Sequence, residues 1–342
     1  YVSGGTLVDF RYHLVSLISV FLALAVGVVL GAGPLQGPIA SGLTSQVEVL
    51  RESQARTSVE IERLRTDVAD RNAWIEQSVH QVLPGTLKDR KVAIVYTEDA
   101  AAEDIDGIAK YIDVAGGVVN QRVVLTNAWY SEDMSQFRDS LAGPVATHLS
   151  GEVSAEAPAA DILSQALLEI ITKTNDETKL LREILADADN ALLSFEADQV
   201  VSDSIIFVGP RPVGEDATTA ATQETDNETN QEDSEADSSD SQMLVAVAGM
   251  VAKAPSAGVV VGDASASDSL ISLVRGQAVA VTSVDSVGTS MGHASTVIAL
   301  LSADRTARAF GTASTASELV PPLPQAKTEA TQPSETEATA GE

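Results

Sequence analysis

A long apolar run near the N-terminus constrains this chain most strongly. From Leu14 to Leu30 it reads LVSLISVFLALAVGVVL, with two serines, one glycine and no charged residue. At a rise of about 1.5 Å per residue, these residues form a helix of roughly 25 Å, close to the hydrocarbon thickness of a bilayer. We therefore predict a transmembrane helix over residues 14–33, which ends before Pro34 because proline interrupts the helical hydrogen bonds.

The charges that flank the apolar run predict its orientation. Arg11 precedes the run, and no Lys or Arg follows it until Arg51. The positive-inside rule then places residues 1–13 in the cytoplasm and the rest of this single-pass chain outside the plasma membrane. The alternative is a cleaved secretory signal, for which the small residues 31–33 offer a cleavage site. The length of the run and its weakly basic flank favour a retained anchor.

Residues 39–83 carry a heptad pattern that predicts a coiled-coil stalk. Apolar residues recur at alternating spacings of four and three, with β-branched residues at position a and leucine at position d. This distribution favours a parallel two-stranded coil, and we predict a parallel homodimer. An amphipathic helix packed on its own domain is the alternative. The predicted interface consists of Leu43, Val47, Leu50, Gln54, Ile61, Leu64, Val68, Ile75 and Val82.

Short apolar runs then alternate with helical patterns, which predicts an α/β fold. Continuous apolar strands are typical of a parallel sheet that is buried on both faces. We predict a doubly wound, Rossmann-like or flavodoxin-like domain over residues 90–213 and 243–322. Its predicted strands are 91–96, 118–125, 205–208, 258–261 and 278–282. Its predicted helices are 100–114, 162–171, 178–193, 243–252, 269–274 and 295–301.

About half of the net charge of −28 lies in two tracts. Residues 214–242 contain ten acidic residues and no basic one, and residues 323–342 are similarly polar and acidic. Because such segments cannot bury a core, we predict a disordered insertion and a disordered tail. The acidic balance argues against nucleic acid as a partner. The absence of cysteine excludes disulfides, thiol catalysis and thiolate metal sites.

Three passages of this sequence resemble a known family. They are VDFRYHLVSLISVFLALAVGVVLGAGPL (8–35), GVVVGDASASDSLISLVRG (258–276) and AVAVTSVDSVGTSMGHASTVIALLSA (278–303). They resemble the actinobacterial MctB family, named as copper transport outer membrane proteins, which includes SteB-like proteins that look like partners of the cell-division machinery. The resemblance runs from Val8 to about Pro322, apart from an acidic insertion at residues 214–242, and its most specific pieces are residues 9–13 and 282–285. It implies an envelope location, in the outer membrane by the family name, and copper homeostasis.

The residues offer few ligands for copper. Copper(I) prefers thiolate, thioether or imidazole ligands, and this chain has no Cys, four Met and four His. Met291 and His293 form the one closely spaced soft pair and are the candidate metal ligands. The alternative is that both are ordinary loop and packing residues. One apolar helix also does not match the many alternating strands of an outer-membrane barrel.

Several motifs of common enzymes are missing, and we predict a protein without catalytic residues or a resident cofactor. The chain has no G-x-G-x-x-G, P-loop or H-E-x-x-H sequence. The Gly262-Asp263 turn lies where α/β folds often bind ligands, which leaves a cryptic enzyme as an alternative. Four acidic residues follow the first predicted strand: Glu98, Asp99, Glu103 and Asp104. They predict either a site for a hard cation such as Ca²⁺ or a solvated loop that caps the next helix.

These features together predict a membrane-anchored dimer with a stalk and an outer domain. We expect a non-enzymatic scaffold or adaptor for cell-envelope or cell-division (septation) machinery. Its predicted contacts are a second copy of itself, the membrane through residues 14–33, and another envelope or division protein. The alternative function is copper homeostasis or copper export across the envelope, as the family name implies.

Overall fold

The computed structural model of this chain describes residues 6–32, 36–151, 154, 157–186, 190–196, 200–211 and 233–323. Within its helices, only the backbone is described for residues 6–10, 32, 36–45 and 233–240. The chain divides into two compact units, Tyr1–Arg71 and Asn72–Glu342.

The first unit contains helix α1 (Thr6–Ala32) and most of helix α2 (Gln36–Val82). Among the described residues, the segment Arg11–Gly31 is the one helix long and apolar enough to cross a membrane. The large apolar side chains from Leu14 to Leu30 are exposed along it. The predicted span of 14–33 therefore falls on one continuous helix, and Gly33 lies outside the described residues.

The second unit contains the end of α2 and the α/β domain that follows it. Its strands are β1 (Lys91–Thr97), β2 (Val118–Leu125), β3 (Leu193–Phe195), β4 (Ser204–Val208), β5 (Ala257–Val261), β6 (Thr282–Val284) and β7 (Arg308–Phe310). Its helices are α3 (Ala102–Val114), α4 (Asn127–Tyr130), α5 (Ser135–Ala146), α6 (Ala159–Thr172), α7 (Asp176–Leu185), α8 (Asp233–Val251), α9 (Leu270–Gly276) and α10 (Ser290–Ser302), with a short 3₁₀ turn at Glu132–Met134.

The seven strands found among the described residues form one mixed sheet in the order β3-β2-β1-β4-β5-β6-β7. All neighbours pair in parallel except β2 and β3, which are antiparallel. Because the order runs outward from β1 in one direction and from β4 in the other, the sheet is doubly wound, and β1 and β4 flank its topological switch point. The predicted α/β class is confirmed, and the antiparallel edge strand β3 is an addition to the predicted parallel sheet.

Two apolar cores cover the two faces of the sheet. Alternate residues of β1 point to opposite faces, so Ala93 and Val95 join one core and Val92 and Ile94 join the other. The first core lies under α4 to α9, and the second lies under α3, α10 and the end of α2. Strands β4 and β5 are buried at every residue, as the continuous apolar runs predict.

Some element boundaries differ from the predicted ones. Helix α8 begins at Asp233, so residues 233–242 of the predicted disordered insertion are helical. Residues 214–232 of the insertion and 324–342 of the tail lie outside the described residues. The predicted helix 178–193 ends at Leu185, and its last residue belongs to β3.

Candidate functional site

The carboxyl ends of β1 and β4 meet at the switch point, where doubly wound folds bind ligands. The loop after β1 leads into α3, whose first turn supplies Asp104. The loop after β4 runs through Gly209 and Pro210 to Arg211. Helix α10 brings His293 to the same place, because its ring packs on Gly107 of α3. Three residues distant in sequence, Asp104, Arg211 and His293, therefore form one cluster.

The Asp104 carboxylate is the centre of this cluster. Its side chain is 1% exposed, and Arg211 Nε donates to its Oδ2 at 2.5 Å. His293 Nε2 lies 3.0 Å from its Oδ1. Since both carboxylate oxygens have a nitrogen partner, the buried charge is compensated. The crevice at the switch point is thus filled by side chains of this chain.

The partners of Asp104 also fix its protonation state. Burial raises the pKa of a carboxyl, but the hydrogen bonds from His293 and Arg211 outweigh it, and the pKa of Asp104 lies below its ordinary value. Asp104 is therefore a carboxylate at neutral pH. It acts as an acceptor that joins α3, α10 and the loop after β4.

The acidic loop does not gather its four carboxylates around one point. Glu98 accepts the backbone N–H of Asn127 at 3.1 Å, and Asp99 is exposed. The Glu103 side chain is 86% exposed and reaches Arg211 at 3.5 Å. Among the described residues, no group of three or more His, Asp or Glu side chains is arranged to hold a metal ion.

The Gly262-Asp263 turn is occupied by local contacts. Asp263 accepts the backbone N–H of Ser265 at 3.0 Å and its hydroxyl at 2.5 Å. The Leu270 side chain packs against Gly262, and a Cβ at Gly209 would collide with it. This part of the carboxyl edge is therefore also filled by the chain itself.

Met291 and His293 are two residues apart on α10 and have different neighbours. His293 contacts Asp104, whereas Met291 lines an apolar groove with α2 residues. The copper pair of the sequence analysis is thus divided between two environments.

The groove that Met291 lines is an apolar opening of the second unit. Its volume is about 330 Å³. One wall is the end of α2, one is α10, and the third is the segment after β7. Trp74 at the end of α2 is 70% exposed. Three residues of the segment after β7 are also strongly exposed: Leu319 (55%), Val320 (46%) and Leu323 (54%). The other lining residues are Ile75, Ser78, Val79, Val82, Leu83, Ala294, Ser295, Ile298 and Pro321.

The end of α2 is fixed to the second unit along one side. Val79 and Leu83 are buried in its core, and Ile75 packs against them. Glu76 forms an ion pair with Lys110 of α3. Ile75 was predicted to face a partner helix, and here it contacts its own domain. At Ile75 this corresponds to the alternative, an amphipathic helix packed on its own domain.

Most of the other predicted interface residues are exposed along α2. Leu50 is 69% exposed and Val68 51%. Gln54 is exposed as well, and the side chain of Leu43 lies outside the description. The remaining predicted positions are exposed by 38–49%: Val47, Ile61, Leu64 and Val82. The coiled coil remains a prediction, because the structure contains one chain. The exposed apolar residues recur at the heptad spacing that such a coil requires.

A second buried ion pair holds the end of the sheet. Arg275 of α9 donates to Asp285 Oδ2 at 2.8 Å, and their side chains are 9% and 1% exposed. Asp285 also accepts the backbone N–H groups of Thr312 and Ala313. Gly311 (φ 133°) leaves room for this carboxylate. The pair therefore ties α9 and β6 to the segment after β7, which forms one wall of the groove.

Comparison with known proteins identifies the family. The family model described as "Copper transport outer membrane protein, MctB" matches residues 7–321. The chain belongs to the MctB family. The Copper transporter MctB of Mycobacterium tuberculosis is 31% identical over 167 residues, which cover 47% of this chain and 53% of that protein. The Mycobacterium leprae protein of the same name is 30% identical over 172 residues, with the same coverage. The chain thus spans about half the length of the curated relatives it matches.

The residues that most resemble the MctB family fall on two different elements of the structure. Residues 9–13 lie in α1, and residues 282–285 form β6 and the buried carboxylate that follows it. Arg211 was missed by sequence reasoning. Its position directly after a strand at the switch point is the only signal that could have indicated it.

Gly107 is expected to be essential for the Asp104 cluster. A Cβ at this position would overlap the His293 ring, so Gly107→Ala must displace the ring from Asp104. We expect a loss of about 1–3 kcal/mol in unfolding free energy, measured by urea unfolding of the full chain in detergent. Gly143→Ala in α5 is the control, because nothing lies within 4 Å of its added Cβ. An equal effect of both substitutions would contradict this role of Gly107.

Proposed function

We propose that this protein is a membrane-anchored, non-enzymatic scaffold or adaptor of the cell envelope that acts as a dimer. One observation carries the proposal. The sites where an α/β fold takes a small ligand are filled by Arg211, Asp104, His293 and Leu270. The exposed apolar surface lies instead on α2 and around the groove, and such surfaces are typical of contacts between proteins.

The proposed arrangement places the second unit outside the plasma membrane. The apolar helix Arg11–Gly31 supports a single-pass anchor, and Arg11 at its start supports a cytoplasmic N-terminus. Helix α2 then supplies 47 residues, or about 70 Å of helix. A scaffold of this kind would present its outer domain to other envelope or cell-division proteins.

Dimerisation is part of this proposal. The exposed apolar residues of α2 recur at heptad spacing, and their burial against a second copy would remove them from water. A parallel pair suits two chains anchored in the same membrane and leaving it in the same direction.

Copper homeostasis is the second candidate, and the family description and the name of the relatives favour it. Met291 and His293 would be the ligands for a direct role. Copper(I) titration of the full chain in detergent, with Met291→Ala and His293→Ala variants, tests this role. Tight stoichiometric binding that either variant abolishes would support it. Binding that is absent, or unchanged in both variants, would leave copper without a site at these residues.

The process is tested in a strain of the source organism that lacks the gene. A scaffold of septation predicts cells that fail to separate at ordinary copper concentrations. A role in copper homeostasis predicts normal septation together with sensitivity to added copper. Cells that separate normally and tolerate copper as the parent strain does would contradict both candidates.

A further inference from the structure

The groove between α2, α10 and the segment after β7 is an apolar surface that is exposed in the single chain. Trp74, Leu319 and Leu323 are each more than half exposed at its rim. The stretch that follows this wall, residues 324–342, contains no Val, Ile, Leu, Met, Phe, Tyr or Trp. It therefore offers no large apolar side chain to fill the groove.

The heptad register leads directly into the groove. Position a is occupied by Ile61 and Val68 and then by Ile75 and Val82, and the last two line the groove. Position d continues from Leu64 through Arg71 to Ser78, and Ser78 also lines the groove. A second copy that packs along the exposed part of this seam would therefore arrive at the groove in the same register.

Charges beside the seam favour a parallel, in-register second copy. In such a pair, each residue at position g lies beside the position e residue five places later in the other copy. Glu60 then faces Arg65, which carries the opposite charge. The other pairs of this kind bring no like charges together: Gln46 with Arg51, Ser53 with Ser58, and Asp67 with Asn72.

The same rule places an aromatic side chain at the groove. Trp74 is at position g, and its counterpart at position e is Val79 of the other copy. Val79 is buried in the core of its own domain, beside the groove. Trp74 of one copy therefore lies against the α2 helix of the other copy, on the side of that helix that packs on its own outer domain. A large, exposed aromatic residue is a typical anchor for an interface pocket.

We infer that the groove binds the end of α2 from a second copy of this chain, with Trp74 as its anchor. The dimer interface then includes Met291, Ile298, Leu319 and Leu323 in addition to the heptad seam. This inference rests on the proposed dimer and extends it into the outer domain. Met291 is in this reading an interface residue.

Site-directed crosslinking tests this contact, because the chain contains no cysteine. Two differently tagged full-length chains are co-expressed, one with Trp74→Cys and the other with Leu319→Cys, and treated in detergent with a short bis-maleimide. Any product that carries both tags must join two copies. We expect a strong mixed product. Replacing Leu319→Cys by Val118→Cys, an equally exposed position (57%) on β2, is expected to abolish it.

A separate variant distinguishes the groove from the seam. Leu64→Cys, at a d position, is expected to crosslink to itself in the other copy. If Leu64→Cys crosslinks and the Trp74–Leu319 pair does not, the groove contact is wrong and the proposed dimer stands. If neither crosslinks, both are wrong.

The affinity of the dimer provides the second measurement. Trp74→Ser is expected to raise the dissociation constant of the full chain about tenfold or more, as for a central interface residue. Val59→Ser is the control, since Val59 is equally exposed (71%) but lies at position f, away from the seam. A groove filled by an acyl chain or another protein would leave the Trp74→Ser dimer as tight as the wild type, which would overturn the inference.

Discussion

Replacement of Asp285 by alanine is expected to lower the free energy of unfolding by about 4 kcal/mol. The substitution leaves Arg275 buried without a counter-charge, because Asp285 is the carboxylate that it contacts. It also removes the acceptor of the Thr312 and Ala313 backbone N–H groups. Urea unfolding of the full chain in detergent, followed by near-ultraviolet circular dichroism, measures the loss.

Asp304→Ala provides the matched control for Asp285→Ala. Asp304 also pairs with an arginine, Arg308, but its side chain is 51% exposed. An exposed pair contributes at most about 1 kcal/mol, so the control should change stability little. Similar losses of unfolding free energy in the two variants would show that burial does not make the Arg275–Asp285 pair more important for stability than an exposed pair.

Asp104→Asn is expected to lower the free energy of unfolding by about 3 kcal/mol at neutral pH. The substitution removes the buried counter-charge of Arg211, whose side chain is 18% exposed. The loss should depend on pH. The pKa of Asp104 is lower in the folded than in the unfolded chain. Its contribution is therefore present above the unfolded pKa of about 3.9 and disappears as the pH falls through the lower, folded pKa. Unfolding measured between pH 7 and the acid limit should show the two proteins converging.

The neighbouring Glu103→Gln variant separates this effect from general changes in charge. Glu103 faces the same arginine, but it is almost fully exposed. We expect its effect to stay below about 1 kcal/mol at every pH. A difference between wild type and Asp104→Asn that stays constant down to acid pH would contradict the assigned role of the carboxylate.

The sheet could be predicted from the sequence where burial is complete. Strands β1, β2, β4 and β5 are within one residue of the predicted ranges at each end. For β1, β4 and β5 the reason is that buried strands read as continuous apolar runs. β3 and β7 have three residues each and carry no such signal. β6 begins at Thr282, the last residue of its predicted range, because the apolar residues 278–281 lead into the strand.

The candidate site was less accessible to sequence reasoning. Asp104, Arg211 and His293 lie far apart in the chain, and no local spacing connects them. Ile75 shows a different limit, since a heptad repeat predicts an apolar face but does not specify whether a partner helix or the chain's own domain covers it. At the end of α2 the structure places both kinds of surface side by side, with Val79 buried and Trp74 exposed.

Complementation of the deletion strain by seam variants tests the central claim most directly, which is that the protein works as a dimeric scaffold. Leu64→Lys places a charge at a d position, and Val59→Lys places the same charge on the outer face of α2. With equal amounts of each chain in the membrane, our account predicts that Val59→Lys restores cell separation and Leu64→Lys does not. Full restoration by Leu64→Lys would contradict it.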